Sequence, residues 1–128
     1  SVPDAIDAEY SAGIHMPSRW AEWRERIDKR RRNVLRQLGE RPFIGYGAAA
    51  GGIATLYTLG LAARCIGLVD DSPRRHGMYA PHCNAMVADP QTLYSYEVHH
   101  DMTAVVCLSW RYAEKIRAKH PNLEIIVP

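Results

Sequence analysis

The sequence predicts an α/β fold: a Rossmann-like three-layer sandwich of about five mostly parallel strands, preceded by a long N-terminal helix. Three observations predict it. The short apolar strand Phe43–Ile44–Gly45 runs straight into a glycine-rich turn and then an uncharged helix. Strand-like apolar runs alternate with helical patterns over short loops, which implies a parallel sheet covered on both faces. The run Thr103–Leu108 (TAVVCL) reads as a strand buried on both sides. Right-handed crossovers then give the strand order 3-2-1-4-5. A length of 128 residues suits one domain with a proper core.

Each element follows in order. Residues 1–17 are polar and broken by Pro3, Gly13 and Pro17, so they read as a lead-in or linker. Ser18 reads as an N-cap. Trp20, Trp23, Ile27, Val34, Leu35 and Leu38 then recur at helical spacing, and Gly39 is the stop. The resulting helix, 18–39, is expected to bridge to a preceding domain. The Rossmann-like domain is 40–128. Ala48–Leu59 is an apolar helix closed by Gly60, and Cys65–Val69 is a buried strand ending at Asp70-Asp71. Ser72–Asn84 is loop. Ala85–Ala88 is a third strand, and Pro90–Tyr94 opens a short helix with proline at its first position. Arg111–Lys119 is a helix and Glu124–Val127 a last strand. A chain that stops at Pro128, directly after a strand-like run, reads as a segment of something longer.

Composition narrows the function classes. The N-terminus is acidic and broken by Pro3, unlike a signal peptide. The longest charge-free stretch, Pro42 to Ala63, is too rich in glycine to be a membrane span, so no membrane partner is expected. Cys65, Cys83 and Cys107 are odd in number and lack C-x-x-C spacing, which points to a reducing, cytoplasmic setting. The segment Ser18–Leu38 has eight basic residues against three acidic ones and carries +5, leaving −3 elsewhere. No aromatic platform or known module accompanies that charge, so nucleic acid is not the expected partner. A solvated face, or one meeting another domain, is expected instead.

The motif with chemical content is Gly45-x-Gly47-x-x-Ala50, with a strand before and a helix after. Gly45 is expected to permit the tight turn, and Gly47 to let backbone approach a ligand closely. The amides near Ala48–Ala50 favour an anion. Asp70, 25 positions after Gly45, stands where an acidic residue holds a ribose hydroxyl. Gly45, Tyr46, Gly47, Ala48 and Asp70 are therefore the candidate cofactor-binding residues. A glycine-rich turn of this kind also serves helix packing alone, and both readings stay open. Arg74 and Arg75 either favour a phosphate on that ribose or are loop surface charges. Trp110 either stacks on a base or sugar or covers the core. His76, His82, Cys83, His99, His100 and Asp101 lack the paired close spacing of a metal site, so no metal is expected. No nucleophile elbow or Ser/His/Asp order appears, and no catalytic residue is assigned. Cys83 beside His82 is an ordinary loop pair.

Taken together, Gly45-Tyr46-Gly47-Ala48, Gly52, Val69-Asp70-Asp71-Ser72-Pro73, Gly77-Met78-Tyr79-Ala80-Pro81, Leu108-Ser109-Trp110 and Ile125-Ile126-Val127-Pro128 carry a resemblance. In order and spacing they resemble the C-terminal domain of the sugar-nucleotide C-methyltransferases that make branched deoxysugars on a dTDP carrier. The resemblance covers Ser18 to Pro128. It implies a parent chain with a zinc-binding domain first. A middle domain follows, holding S-adenosylmethionine, the sugar nucleotide and the catalytic residues. The present piece would be a support or sugar-nucleotide-side domain, inactive alone. Two positions depart from the pattern: Gly51 stands where the family usually has lysine, and Pro81-His82 where it has Pro-Gly. The competing reading is a stand-alone nucleotide- or adenosyl-binding module. A nicotinamide-dependent reductase lacks its Tyr-x-x-x-Lys pair.

Overall fold

A hydrogen bond from the Asp4 amide to the Ser1 hydroxyl, returned by the Asp4 carboxylate, caps the first helix, α1 (Val2–Ser11). Residues 1–17, read as a lead-in from their prolines and glycine, thus contain a helix. Pro3 falls in its first turn, where a missing N–H costs nothing. The computed structural model describes residues 1–81, 83–95 and 103–128. The expectations placed on His82, His99, His100 and Asp101 lie outside them.

Helix α2 (Pro17–Leu38) starts on the proline, with Met16 rather than Ser18 preceding it as the cap. Gly39 ends it, its N–H returning to the Leu35 carbonyl. Helix α2 meets the body of the domain from Ile27 onward: Ile27 and Leu35 pack against the core, Val34 and Leu38 are buried, and Trp20 and Trp23 stay exposed. Nothing on α1 is buried.

Five strands follow: β1 (Phe43–Tyr46), β2 (Cys65–Val69), β3 (Val87–Ala88), β4 (Ala104–Cys107) and β5 (Ile125–Ile126). They form one parallel sheet in the order β3-β2-β1-β4-β5, as the alternating pattern predicted. Helix α3 (Ala50–Thr58) connects β1 to β2, and α4 (Ala113–Lys119) connects β4 to β5. The β1–β2 register slips after Phe43, so Ile66 is an extra residue, and its side chain is exposed.

The sheet has a core on each face. On one, Phe43, Leu68 and Val106 pack with Leu56 of α3 and with Val34 and Leu38 of α2. On the other, Tyr46, Val69, Val105 and Cys107 pack with Leu93 and with Ala113 and Ile116 of α4. Every residue of β4 is buried, which explains its unbroken apolar sequence. The strand order reverses at β1, whose neighbours are β2 and β4. Crossovers leave it in opposite directions, opening a crevice at the carboxyl ends of the strands. Among the described residues, no helix is long and apolar enough to cross a membrane.

Candidate functional site

The turn after β1 makes the floor of this crevice. Gly47 has φ +110°, a conformation that side-chain-bearing residues rarely adopt. A Cβ there would also strike the Ser109 hydroxyl and lie 2.7 Å from Ser109 Cβ. Gly47, rather than Gly45, is therefore the turn glycine. Gly45 sits within β1, where a Cβ would come 2.6 Å from Leu108 Cδ1 and 2.7 Å from Leu68 Cδ2. Its glycine serves packing. Gly52 faces the Gly47 carbonyl closely, with room for no Cβ between them, so α3 seats directly on the turn.

Asp70 locks that turn. One of its carboxylate oxygens accepts the Ala48 N–H at 2.7 Å. The other accepts the Ser72 N–H at 2.8 Å and the Arg75 guanidinium at 2.9 Å. Burial alone would raise the Asp70 pKa, but the two amides and Arg75 outweigh it and hold it below the usual carboxylate value. The Ala48 amide is thereby directed at Asp70. Helix α3 accordingly begins at Ala50, two residues later than the sequence pattern suggested. His76 joins the same latch, its Nε2 lying 2.7 Å from the Asp70 carbonyl. Arg74 is exposed, whereas Arg75 is half-buried against Asp70.

The crevice, of about 370 Å³, lies between this turn and α4. Among the described residues, five charged side chains line it: Asp70, Asp71, Arg75, Lys115 and Lys119. Arg75 pairs with Asp70, and Lys119 pairs with Asp71 at 3.0 Å. Lys115 has no carboxylate partner among the described residues; its ammonium lies 6.0 Å from the Tyr112 ring centre. Among these described side chains one cation is thus in excess.

Beneath the crevice runs a hydrogen-bonded chain that the sequence did not announce. The Tyr46 hydroxyl donates to Asp71 Oδ1 at 2.9 Å and lies 3.2 Å from His120 Nε2. The other ring nitrogen of His120, Nδ1, meets the Tyr94 hydroxyl. Because the Tyr46 proton goes to Asp71, its oxygen accepts from His120, which fixes the proton of a neutral imidazole on Nε2. Nδ1 then accepts from Tyr94. Burial lowers the His120 pKa, with Asp71 opposing, and so favours this neutral form. Burial, then Asp71, push the Tyr46 phenol far above its ordinary value. For Asp71, burial raises the pKa, but Lys119 and Tyr46 prevail and hold it low. Tyr46 and His120 are 74 positions apart, so no local motif could have joined them.

Ser109 and Tyr112 divide the crevice from a second recess of about 310 Å³, lined also by Gly51, Gly52, Trp110 and Arg111. Trp110 forms the wall of this recess and is exposed rather than capping the core. The guanidinium carbons of Arg30, on α2, and of Arg111 lie 5.6 and 5.4 Å from its ring centre. The basic face of α2 therefore reaches the rim of the site. Among the described residues, no group of three or more His, Cys, Asp and Glu is placed to hold a metal ion.

A family model of the C-methyltransferase C-terminal domain matches residues 1–125. The chain belongs to that family. A C-methyltransferase C-terminal domain implies a preceding partner domain in its parent chain, and the match spans α1 and α2. A search of curated proteins found no match.

Proposed function

We propose that this C-methyltransferase C-terminal domain is the sugar-nucleotide side of its enzyme, holding a nucleotide-linked sugar in the crevice between the Gly47 turn and α4. The observation that carries this reading is the charge balance of the crevice: two internal ion pairs and the unmatched Lys115. A mobile anion such as a diphosphate satisfies that cation. The position agrees, since open α/β sheets bind ligands where the strand order reverses. Ser109 and Tyr112 give the ligand a polar and an aromatic edge.

The methyl donor is assigned elsewhere. S-adenosylmethionine carries a methyl group on a sulfonium, ready for transfer to a carbon nucleophile. An adenosyl group held by this glycine turn would need a free acceptor on Asp70 for its ribose. Asp70 Oδ1 already accepts from Ser72 and Arg75, Oδ2 accepts from Ala48, and the side chain is only 10% exposed, so the carboxylate is poorly placed for a ribose. A buried Asp70 that holds the turn favours the sugar-nucleotide reading over a free-standing nucleotide- or adenosyl-binding module. C-methylation also needs a base to take the proton from the sugar carbon. Asp70 and Asp71 are paired carboxylates held acidic, and the Tyr46 phenol is held protonated, so none of them suits the role. This reading assigns the donor and the base to the preceding domain.

Helices α1 and α2 are proposed as the bridge to that domain. Val2, Ile6 and Tyr10 make an exposed stripe on α1, and Trp20 and Trp23 continue the exposed apolar surface on α2. An isolated helix of α1's length is marginal without a packing partner. Hydrogen exchange should find α1 and the first half of α2 unprotected in this chain alone and protected in the parent polypeptide.

The function is tested by methyl transfer to a nucleotide-linked sugar. The parent polypeptide should turn over, and the 128-residue chain alone should not. In the parent, Lys115→Ala should raise KM for the sugar nucleotide about tenfold and leave KM for S-adenosylmethionine unchanged. Turnover by the isolated chain, or an effect of Lys115→Ala confined to the methyl donor, refutes the assignment.

A further inference from the structure

We infer that Asp71, not Asp70, is the carboxylate that receives a hydroxyl of the bound ligand. The inference rests on the proposed sugar-nucleotide crevice and specifies its recognition. Template logic assigns a ribose hydroxyl to the acidic residue directly after β2, which is Asp70. That carboxylate is committed to the fold. It accepts three hydrogen bonds from Ala48, Ser72 and Arg75, and its side chain is only 10% exposed.

Asp71 differs in exposure, and neither of its oxygens is filled twice as Asp70 Oδ1 is. Its side chain is 52% exposed and lines the crevice. Each of its oxygens carries a single contact, Oδ1 from Tyr46 and Oδ2 from Lys119. A carboxylate oxygen accepts two hydrogen bonds in comfort, so both retain capacity for a ligand hydroxyl.

The relay beneath sets the direction of this carboxylate. Tyr94 donates to His120, His120 to Tyr46, and Tyr46 to Asp71, leaving the outer lone pairs toward the crevice. Lys119 beside it is a donor for a hydroxyl oxygen or a phosphate. A carboxylate and an ammonium side by side match the donor and acceptor sides of a sugar hydroxyl. The hydroxyl comes either from the methyl-accepting sugar or from the pentose of the nucleoside, and the experiment separates the two.

Calorimetric titration of the parent polypeptide with dTDP-glucose and with dTDP, on wild type, Asp71→Asn and Asp70→Asn, tests this. Asp71→Asn should weaken dTDP-glucose about tenfold with Tm within 2 °C of wild type, since its ion pair is exposed. It should raise KM for the sugar nucleotide without moving KM for the methyl donor. If dTDP is unaffected, the hydroxyl belongs to the sugar; if dTDP weakens equally, it belongs to the pentose. Asp70→Asn should lower Tm by several degrees. Wild-type binding that Asp71→Asn leaves unaltered overturns this inference alone. A wild type that binds neither probe overturns it together with the reading of the crevice.

Discussion

Gly47→Ala tests the turn on which the crevice is built. The added Cβ meets two separate penalties. A φ of +110° is strained for alanine and costs about 1–3 kcal/mol. The methyl would also lie 2.7 Å from Ser109 Cβ and 3.0 Å from the Ser109 nitrogen, so Ser109 and the end of β4 must shift. Overpacking of this kind costs about 1–3 kcal/mol, for a total of about 2–6 kcal/mol. For a domain of this size that lowers Tm by about 8–24 °C. Thermal unfolding followed by circular dichroism reads the shift. Adding Ser109→Gly to Gly47→Ala should recover part of the loss by relieving the side-chain clash, leaving the backbone strain in place. A Gly47→Ala protein that melts with wild type refutes the reasoning. A double variant no more stable than the single one shows that Ser109 is not what the methyl meets.

Three further outcomes follow from the same geometry. Asp70→Asn should cost about 2–4 kcal/mol at pH 7, read by urea unfolding, because charge-assisted bonds from two amides and Arg75 are weakened at once. Asp70 has a depressed folded pKa, so the stability it supplies is complete above the ordinary carboxylate value, about 3.9, and is lost as pH falls through the folded value; Asp71, half-exposed, adds little. His120 adds an earlier acid step. Its folded pKa lies below the ordinary value of about 6.5, so stability declines as pH drops from there, and His120→Gln should remove that step from a stability–pH curve. Of the three thiols, Cys83 should react first with a thiol reagent under native conditions. Cys65 and Cys107 are buried, and burial pushes both up to about 11. Equal labelling rates would contradict the packing described.

The sheet was legible because its strands announce themselves locally. Uninterrupted apolar runs at Cys65–Val69 and Ala104–Cys107, separated by helical spacing and glycine stops, leave few topologies once crossover handedness is applied. The glycine turn was legible in place but not in detail. Gly45 and Gly47 look alike in sequence; what separates them is Leu68 and Leu108 closing over one and Ser109 over the other. Helix α1 was hidden by Pro3, Gly13 and Pro17, although Ser1 with Asp4 carries a capping signature. Asp70 was found as a polar residue at the right strand end, yet its service to the Ala48 amide depends on the turn's fold. Tyr94 and His120 gave no signal of this role, and Asp71 only its place beside Asp70 in a motif, because their partners come from separate segments gathered at one end of the sheet.

The central claim, that the crevice between the Gly47 turn and α4 takes a nucleotide-linked sugar, is tested most directly by amide NMR. dTDP-glucose would be titrated into the ¹⁵N-labelled chain. Shifts should concentrate at Gly47, Asp71, Ser109, Lys115 and Lys119 and saturate together. Shifts spread along the basic face of α2 at Lys29, Arg32 and Arg36, or a spectrum that does not move, would contradict it.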